Sequence, residues 1–168
     1  MNRVIGLVGQ AGSGKDTVAH FLAEQYGYHP IALATPLKDF IGPLLGAGKH
    51  RRAYQQVGDV MRQEDPLVFI KAVQRQITQG LWVITDIRYL NEALAFPEAA
   101  LWFIAAPYNL RVSRLQARDG EVQPRDFLHR SEQDVEALRD LCPVVLENDG
   151  NLPTLYRKIQ ERMDTSWD

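Results

Sequence analysis

The sequence is poor in cysteine and in long apolar runs. Cys142 is the only cysteine among 168 residues, which excludes a disulfide within the chain and fits a reducing compartment. The N-terminal stretch MNRVIGLVGQAGSGK contains an apolar segment far too short to span a membrane. It also lacks the length and cleavage pattern of a signal peptide. We therefore expect a cytoplasmic protein without a membrane partner.

An excess of charge of one sign is missing as well. The 19 Lys and Arg residues nearly balance the 21 Asp and Glu residues, which gives a net charge of −2. Such a chain has no general basic field to attract a nucleic acid polymer, so any site for a small polyanion must come from a local basic cluster. Internal repeats, low-complexity tracts and Pro/Gly linkers are absent too, and residues 1–168 are expected to form a single domain.

What the sequence does contain is a regular alternation of apolar runs and helical periodicity. Strands are predicted at residues 4–8, 31–34, 81–85, 100–106 and 143–148. Helices are predicted after residue 15, from Pro36, between residues 53 and 79 with a break near Asp65, at 91–95, 111–118 and 131–140, and around Leu155. This alternation indicates an α/β fold, with a parallel sheet of about five strands and helices on both faces. Ligands of such sheets bind beyond the carboxyl ends of the strands.

A glycine-rich segment follows the first predicted strand. GQAGSGKDT (residues 9–17) nearly matches the phosphate-binding loop G-x-x-x-x-G-K-[ST]. Glycines let the backbone curl so that its N–H groups point inward, and the following helix adds its positive end. The lysine supplies a mobile charge for the β- and γ-phosphates of a nucleotide. The predicted ATP-binding residues in this segment are Ala11, Gly12, Ser13, Gly14, Lys15, Asp16 and Thr17, with Lys15 also catalytic.

Asp16 stands where the motif has Ser or Thr. The usual hydroxyl binds Mg²⁺, and a carboxylate is also a hard oxygen donor. Our hypothesis is that Asp16 holds Mg²⁺ while Thr17 donates its hydroxyl to a phosphate oxygen. The sequence leaves open whether Asp16 contacts the metal directly or through water.

Two charged residues follow the central strand in WVITDIR. Asp86 lies where phosphate-loop proteins carry the acid that orients Mg²⁺, and Arg88 is suited to a phosphate through its forked guanidinium. Both are predicted to be catalytic, with Asp86 also on the metal and Arg88 on the acceptor. Otherwise they are a strand-end cap and a solvated arginine.

Three arginines recur at helical spacing further along the chain. Arg111, Arg114 and Arg118 fall at i, i+3 and i+7 and so share one helical face. Charges clustered in this way suit the stabilisation of a transferring phosphate. Arg114, at the centre, is the predicted catalytic member, and Arg111 and Arg118 are predicted to bind substrate. The alternative is a solvated helix face.

Five segments carry a resemblance to a known family: GQAGSGKDTVA, TPLKDFIG, YQQVGDVMRQEDP, WVITDIRYLNEA and HRSE. Together they resemble the bacteriophage deoxynucleoside monophosphate kinases. This resemblance implies a P-loop NTPase fold with a helical lid, and phosphate transfer from ATP to a deoxynucleoside monophosphate with Mg²⁺. It also implies that the arginine face belongs to the lid, that Lys38 and Arg62 bind the acceptor, and that Asn148 contacts the adenine. For His129 the resemblance offers a role on the substrate side, whereas the segment HRSEQD by itself is typical of a helix start with Ser131 as N-cap; the role of His129 stays open.

Two other functions stay open at this stage. Animal phosphomevalonate kinases share Gly-Lys-Asp, Pro-Leu-Lys and Asp-x-Arg, so the acceptor is alternatively phosphomevalonate or another small phosphate. A nucleotide-binding regulatory module without an acceptor is the alternative of another class. The accepted bases, the reading of the 2′-position, formation of a homodimer and the role of the basic run KHRR (49–52) are also open.

The metal hypothesis makes the first testable prediction. Replacing Asp16 by Asn removes the anionic oxygen and should raise the Mg²⁺ concentration needed for half-maximal activity, because a neutral amide is the weaker ligand for this hard cation. The measurement is activity against Mg²⁺ concentration at saturating nucleotide. An unchanged requirement would show that Asp16 does not act on the metal.

Overall fold

A computed structural model describes residues 3–48, 50–120 and 130–165. Its strands are β1 (Arg3–Val8), β2 (His29–Ile31), β3 (Leu81–Ile87), β4 (Ala99–Ala105) and β5 (Val144–Glu147). They form one parallel sheet in the order β2-β3-β1-β4-β5. The prediction of about five parallel strands is confirmed, and the first strand of the chain is the central one.

Helices connect the strands. They are α1 (Lys15–Tyr26), α2 (Thr35–Leu45), α3 (Arg51–Glu64), α4 (Val68–Gln74), α5 (Leu90–Leu94), α6 (Tyr108–Asp119), α7 (Arg130–Ala137) and α8 (Leu152–Thr165). The break near Asp65 separates α3 from α4, as predicted. The arginine-bearing helix assigned to a lid is α6. Residues 121–129, which follow α6 and include His129, lie outside the described residues, as does Lys49 of the basic run.

Each face of the sheet carries its own apolar core, because successive side chains of a strand point to opposite faces. On one face, Val4 and Val8 of β1 pack with side chains of α2, α4, α5 and α7. On the other, Ile5 and Leu7 pack with α1 and α8. Helices therefore cover both faces, and β1 is uncharged from Val4 to Val8 because these residues are buried between the two layers of helices.

The second strand differs from its prediction. Residues 31–34 were expected to be extended, whereas β2 covers His29–Ile31 and α2 begins at Thr35. The reason is a contact distant in sequence: the carboxylate of Asp86 accepts hydrogen bonds from the backbone N–H groups of Leu33 and Ala34. These bonds draw the chain away from the sheet after Ile31. A side chain 52 and 53 residues away thus ends the strand.

None of the helices in the described residues is both long enough and apolar enough to cross a bilayer.

Packing of α8 on the second core predicts that two leucines of this helix contribute unequally to the free energy of unfolding. Leu155 of α8 is 1% exposed in the second core, whereas Leu152, one turn earlier, is 53% exposed. Replacing Leu155 by Ala should lower the free energy of unfolding by about 2–5 kcal/mol. The matched Leu152→Ala change should stay within about 0.5 kcal/mol. Urea denaturation measures both, and equal losses would contradict this packing.

Candidate active site

The phosphate loop joins β1 to α1 at the carboxyl edge of the sheet. Gly12 and Gly14 have φ values of 77° and 99°, the left-handed region that favours glycine. A Cβ at Gly12 would lie 2.6 Å from the carbonyl oxygen of Arg111, and a Cβ at Gly14 would collide with the side-chain amide of Asn148. The loop therefore needs glycine at both positions, for space as well as for conformation, and it has the shape that holds phosphates.

Lys15 is the first residue of α1 and is only 8% exposed. Its ammonium donates hydrogen bonds to the carbonyl oxygens of Gly9 and Gln10, the latter at 3.1 Å. The positive charge therefore lies over the loop itself, next to the N-terminus of α1. A curled backbone, a helix N-terminus and a lysine converge on one place, as an anion site requires. The assignment of these residues to ATP stays a prediction.

Asp16 and Thr17 occupy the first turn of α1. Asp16 is 84% exposed, and one of its oxygens lies 4.0 Å from Nη1 of Arg118, while Thr17 is half-buried. Among the described residues, no group of three or more His, Cys, Asp or Glu side chains is placed to hold a metal. Protein Mg²⁺ sites commonly use one or two carboxylates with phosphate and water, so the residues present fit this ion. The assignment of Asp16 to Mg²⁺ stays a prediction.

The three arginines of α6 lie together against the phosphate loop. Arg111 donates to the carbonyl oxygen of Ala11 at 3.4 Å, and Arg114 donates to that of Gly12 at 3.4 Å. Arg118 approaches Asp16 at 4.0 Å and binds Asp119 at 2.7 Å. The helical spacing predicted this common face, and the structure brings all three side chains to the loop. Their predicted roles toward phosphate stay predictions.

Asn148 follows β5 and is 5% exposed. Its Nδ2 donates to the carbonyl oxygen of Ser13 at 2.7 Å. Arg114 in turn donates to the backbone oxygen and to Oδ1 of Asn148, at 3.1 and 3.3 Å. The structure thus places Asn148 under the phosphate loop. Its predicted contact with adenine stays a prediction.

Asp86 lies in β3, beside the start of the phosphate loop. The residue after it, Ile87, pairs with Val8 at the end of β1. The carboxylate accepts from Leu33 N–H at 2.6 Å and from Ala34 N–H at 3.1 Å. Each carboxylate oxygen has a further lone pair for a metal-bound water, so these bonds are compatible with the predicted Mg²⁺ role and do not test it.

A second charged group lies beyond the end of β3. Arg62 of α3 is packed between two rings, 4.9 Å from the centroid of Phe69 and 5.3 Å from that of Tyr89. Its guanidinium is 3.9 Å from Glu92 and 3.7 Å from Asp59. The rings and carboxylates hold this long side chain in one orientation. Lys38, the other predicted acceptor residue, is exposed in the first turns of α2.

Glu92 is a residue of this group that the sequence reasoning missed. Its Oε2 accepts hydrogen bonds from the backbone N–H groups of Arg88 at 2.8 Å and of Tyr89 at 3.1 Å. It therefore fixes the backbone that presents the half-buried Arg88. The available signal was a Glu three residues after Tyr89 at a helix start, the position from which an acidic side chain reaches back to backbone N–H groups.

Burial perturbs the Glu92 carboxyl. Desolvation raises its pKa above the ordinary value of 4.5, and it outweighs the opposing effects of the two backbone hydrogen bonds and of Arg62. Asp86 adds a smaller raising effect. Glu92 is thus a buried acid whose charged form costs free energy, held by two backbone N–H groups beside the guanidinium of Arg62.

A cavity of about 340 Å³ opens beside the loop, within the size range of small-molecule sites. Gln10, Ser13 and Arg139 are among the residues that line it. Arg139 is bound to Glu147 at 3.0 Å and lies 3.6 Å from Glu136. The loop therefore borders a space large enough for part of a small molecule.

Comparison with solved structures identifies the fold. TT1252 from Thermus thermophilus is 25% identical, with 97% of each chain covered and a TM-score of 0.67. A shikimate kinase from Acinetobacter baumannii in complex with shikimate is 18% identical (99% and 96% covered, TM-score 0.67). A gluconokinase from Sinorhizobium meliloti is 17% identical (96% and 91% covered, TM-score 0.67). No protein-family model and no curated protein matches the sequence. The chain has the fold of P-loop kinases, as the resemblance implied.

The raised pKa of Glu92 predicts a pH-dependent stability. The unfolded chain ionises Glu92 near pH 4.5 and the folded chain only at higher pH, so the wild type loses stability as pH rises between these values. Glu92→Gln does not titrate there. Its free energy of unfolding should therefore improve relative to the wild type as pH rises through this interval.

Urea denaturation from pH 4 to pH 8 measures the difference. Glu161→Gln, an exposed partner of Arg157 on α8, is the matched control and should follow the wild-type profile. Parallel profiles for the wild type and Glu92→Gln would contradict a carboxyl destabilised by burial.

Proposed function

We propose that the protein is an ATP-dependent kinase that transfers the γ-phosphate of ATP to the phosphate of a deoxynucleoside monophosphate. One observation carries the proposal. The register that pairs Val8 with Ile87 sets the phosphate loop and the arginine-bearing end of β3 side by side. This proximity supports a donor site built on Lys15 next to an acceptor site built on Arg88.

Different residues of the chain bind ATP and the acceptor. The loop and Lys15 bind the phosphates of ATP, while Arg88 with Arg62 and Lys38 binds the acceptor phosphate. An acceptor oxygen forms a bond to the γ-phosphorus, the bond to the β–γ bridging oxygen breaks, and ADP leaves. The arginine face of α6 neutralises charge beside the loop, and Asp16 and Asp86 would hold Mg²⁺. Mg²⁺ when bound draws off negative charge developing on the phosphates.

The proposed acceptor class rests on the sequence resemblance and on two arginines, Arg62 and Arg88. The solved structures that share the fold include a shikimate kinase and a gluconokinase, which supports phosphate transfer to a small molecule. A phosphorylated acceptor is favoured here because Arg62 and Arg88 are both held at the end of β3. The partners we propose are accordingly small nucleotides, not a nucleic acid polymer.

Phosphomevalonate, or another small phosphate, is the second candidate acceptor, because the same arginines would hold any phosphate. A regulatory module is disfavoured by the same observation, since a nucleotide switch does not need a second cationic site.

The test is an assay of ADP formation with Mg²⁺ across a panel of acceptors. The panel contains the deoxynucleoside and ribonucleoside monophosphates, phosphomevalonate, shikimate and gluconate. We expect turnover to depend on the acceptor and to be fastest with a deoxynucleoside monophosphate. ADP formation that does not depend on any acceptor would favour the regulatory module. Fastest ADP formation with phosphomevalonate would show that phosphomevalonate, and not a deoxynucleoside monophosphate, is the acceptor.

Lys15→Ala should lower kcat by about 10²–10³-fold, the range for loss of one preorganised electrostatic contact, while acceptor binding changes far less. Lys71→Ala, which removes a surface ion pair with Asp65, is the control. Melting temperatures check that both variants fold. Equal losses of transfer and acceptor binding would show that the role of Lys15 is misassigned.

A further inference from the structure

Three consecutive carbonyl groups of the phosphate loop are bound from outside the loop. Ala11 accepts from Arg111, Gly12 from Arg114, and Ser13 from Asn148. The contact with Asn148 is the shortest, at 2.7 Å against 3.4 Å for each arginine. It is also a contact between buried residues, since Ser13 is 1% exposed.

The direction of a peptide's carbonyl fixes the direction of the next N–H. In a planar trans peptide the two groups point opposite ways. Asn148 binds the Ser13 carbonyl, so the N–H of Gly14 points away from Asn148. That N–H stands at the N-cap of α1, where backbone donors bind anions.

Asn148 is itself held rigidly. Its own N–H donates to the carbonyl oxygen of Ala105 at 2.7 Å, which extends the pairing of β4 with β5. Its Oδ1 accepts from Arg114 at 3.3 Å. The amide therefore has one orientation, with Oδ1 toward α6 and Nδ2 toward the loop.

We propose that Asn148 is a positioning residue for the triphosphate: it sets the Ser13–Gly14 peptide so that the Gly14 N–H faces the bound phosphates. It acts through the loop, as an alternative to the contact with adenine that the sequence predicts. This proposal deepens the nucleotide half of the proposed function and rests on it for the identity of the ligand, but it does not require any particular acceptor.

The contrast between base reading and loop positioning gives a direct test. Dissociation constants for MgATP, MgGTP and magnesium tripolyphosphate are measured by calorimetry for the wild type and two variants. Asn148→Ala removes the amide, and Asn148→Asp keeps the shape and the acceptor for Arg114, loses the donor to Ser13 and adds a negative charge. Both variants should weaken all three ligands, Asn148→Ala by a factor of about 10 and Asn148→Asp by more because its charge repels phosphate, and both should leave the ATP:GTP ratio unchanged.

Asn151→Ala is the matched control, because Asn151 lies in the same loop between β5 and α8. Asn151 Oδ1 accepts from the backbone N–H and hydroxyl of Thr154 near the start of α8, so its loss affects stability without touching the loop. It should leave the three dissociation constants within about twofold of wild type, inside the margin expected of a surface change.

The possible results distinguish loop positioning from adenine reading. Weakening of ATP alone, with tripolyphosphate unchanged, would overturn the proposal in favour of adenine reading. No change for any ligand, no binding of tripolyphosphate by the wild type, or unfolding of both Asn148 variants would overturn it as well. Tripolyphosphate binding that responds to Asn148 in a protein that phosphorylates no acceptor would sustain this inference and reject the proposed function.

Discussion

The phosphate loop is held by donors from outside it, which bind the three consecutive carbonyl groups of Ala11, Gly12 and Ser13. A backbone that curls to point N–H groups inward must turn its carbonyls outward, and buried carbonyls need donors. Here α6 and the end of β5 supply those donors. The arginines of α6 therefore contribute to the architecture of the loop as well as to its charge. Gly14 completes the arrangement, because the Asn148 amide takes the space that a side chain would need.

The opposite side of the site is organised around a buried acid. Glu92 binds two backbone N–H groups and faces Arg62, whose guanidinium is also packed between two aromatic rings. Burying a carboxyl costs free energy, and the raised pKa of Glu92 reflects that cost. The same contacts fix the backbone after β3 and the orientation of the Arg62 guanidinium. Fixed charges need little reorganisation during a reaction, which is the main contribution a protein makes to phosphate transfer.

Local patterns were sufficient to predict the sheet, the loop and the arginine face. The strand before GQAGSGK and the helix after it depend on neighbouring residues, and so does the i, i+3, i+7 spacing on α6. Contacts distant in sequence were not predictable in this way. Asp86 ends β2 through Leu33 and Ala34, Asn148 reaches Ser13, and Glu92 faces Arg62. Each depends on which strands become neighbours, and a single sequence read by local periodicity does not contain that information.

The central place of β1 in the sheet has a consequence for the order in which the molecule forms. Its two neighbours are β3, where Leu81 pairs with Arg3, and β4, where Ala99 pairs with Val4. A growing chain thus makes its first strand long before either partner exists, and the strand remains exposed and apolar until then. Pairings so distant in sequence form slowly, and unpaired apolar strands favour aggregation. During synthesis, the phosphate loop can take its final shape only after the residues of β5 and Asn148 have been added to the chain, because Asn148 supplies the donor to Ser13.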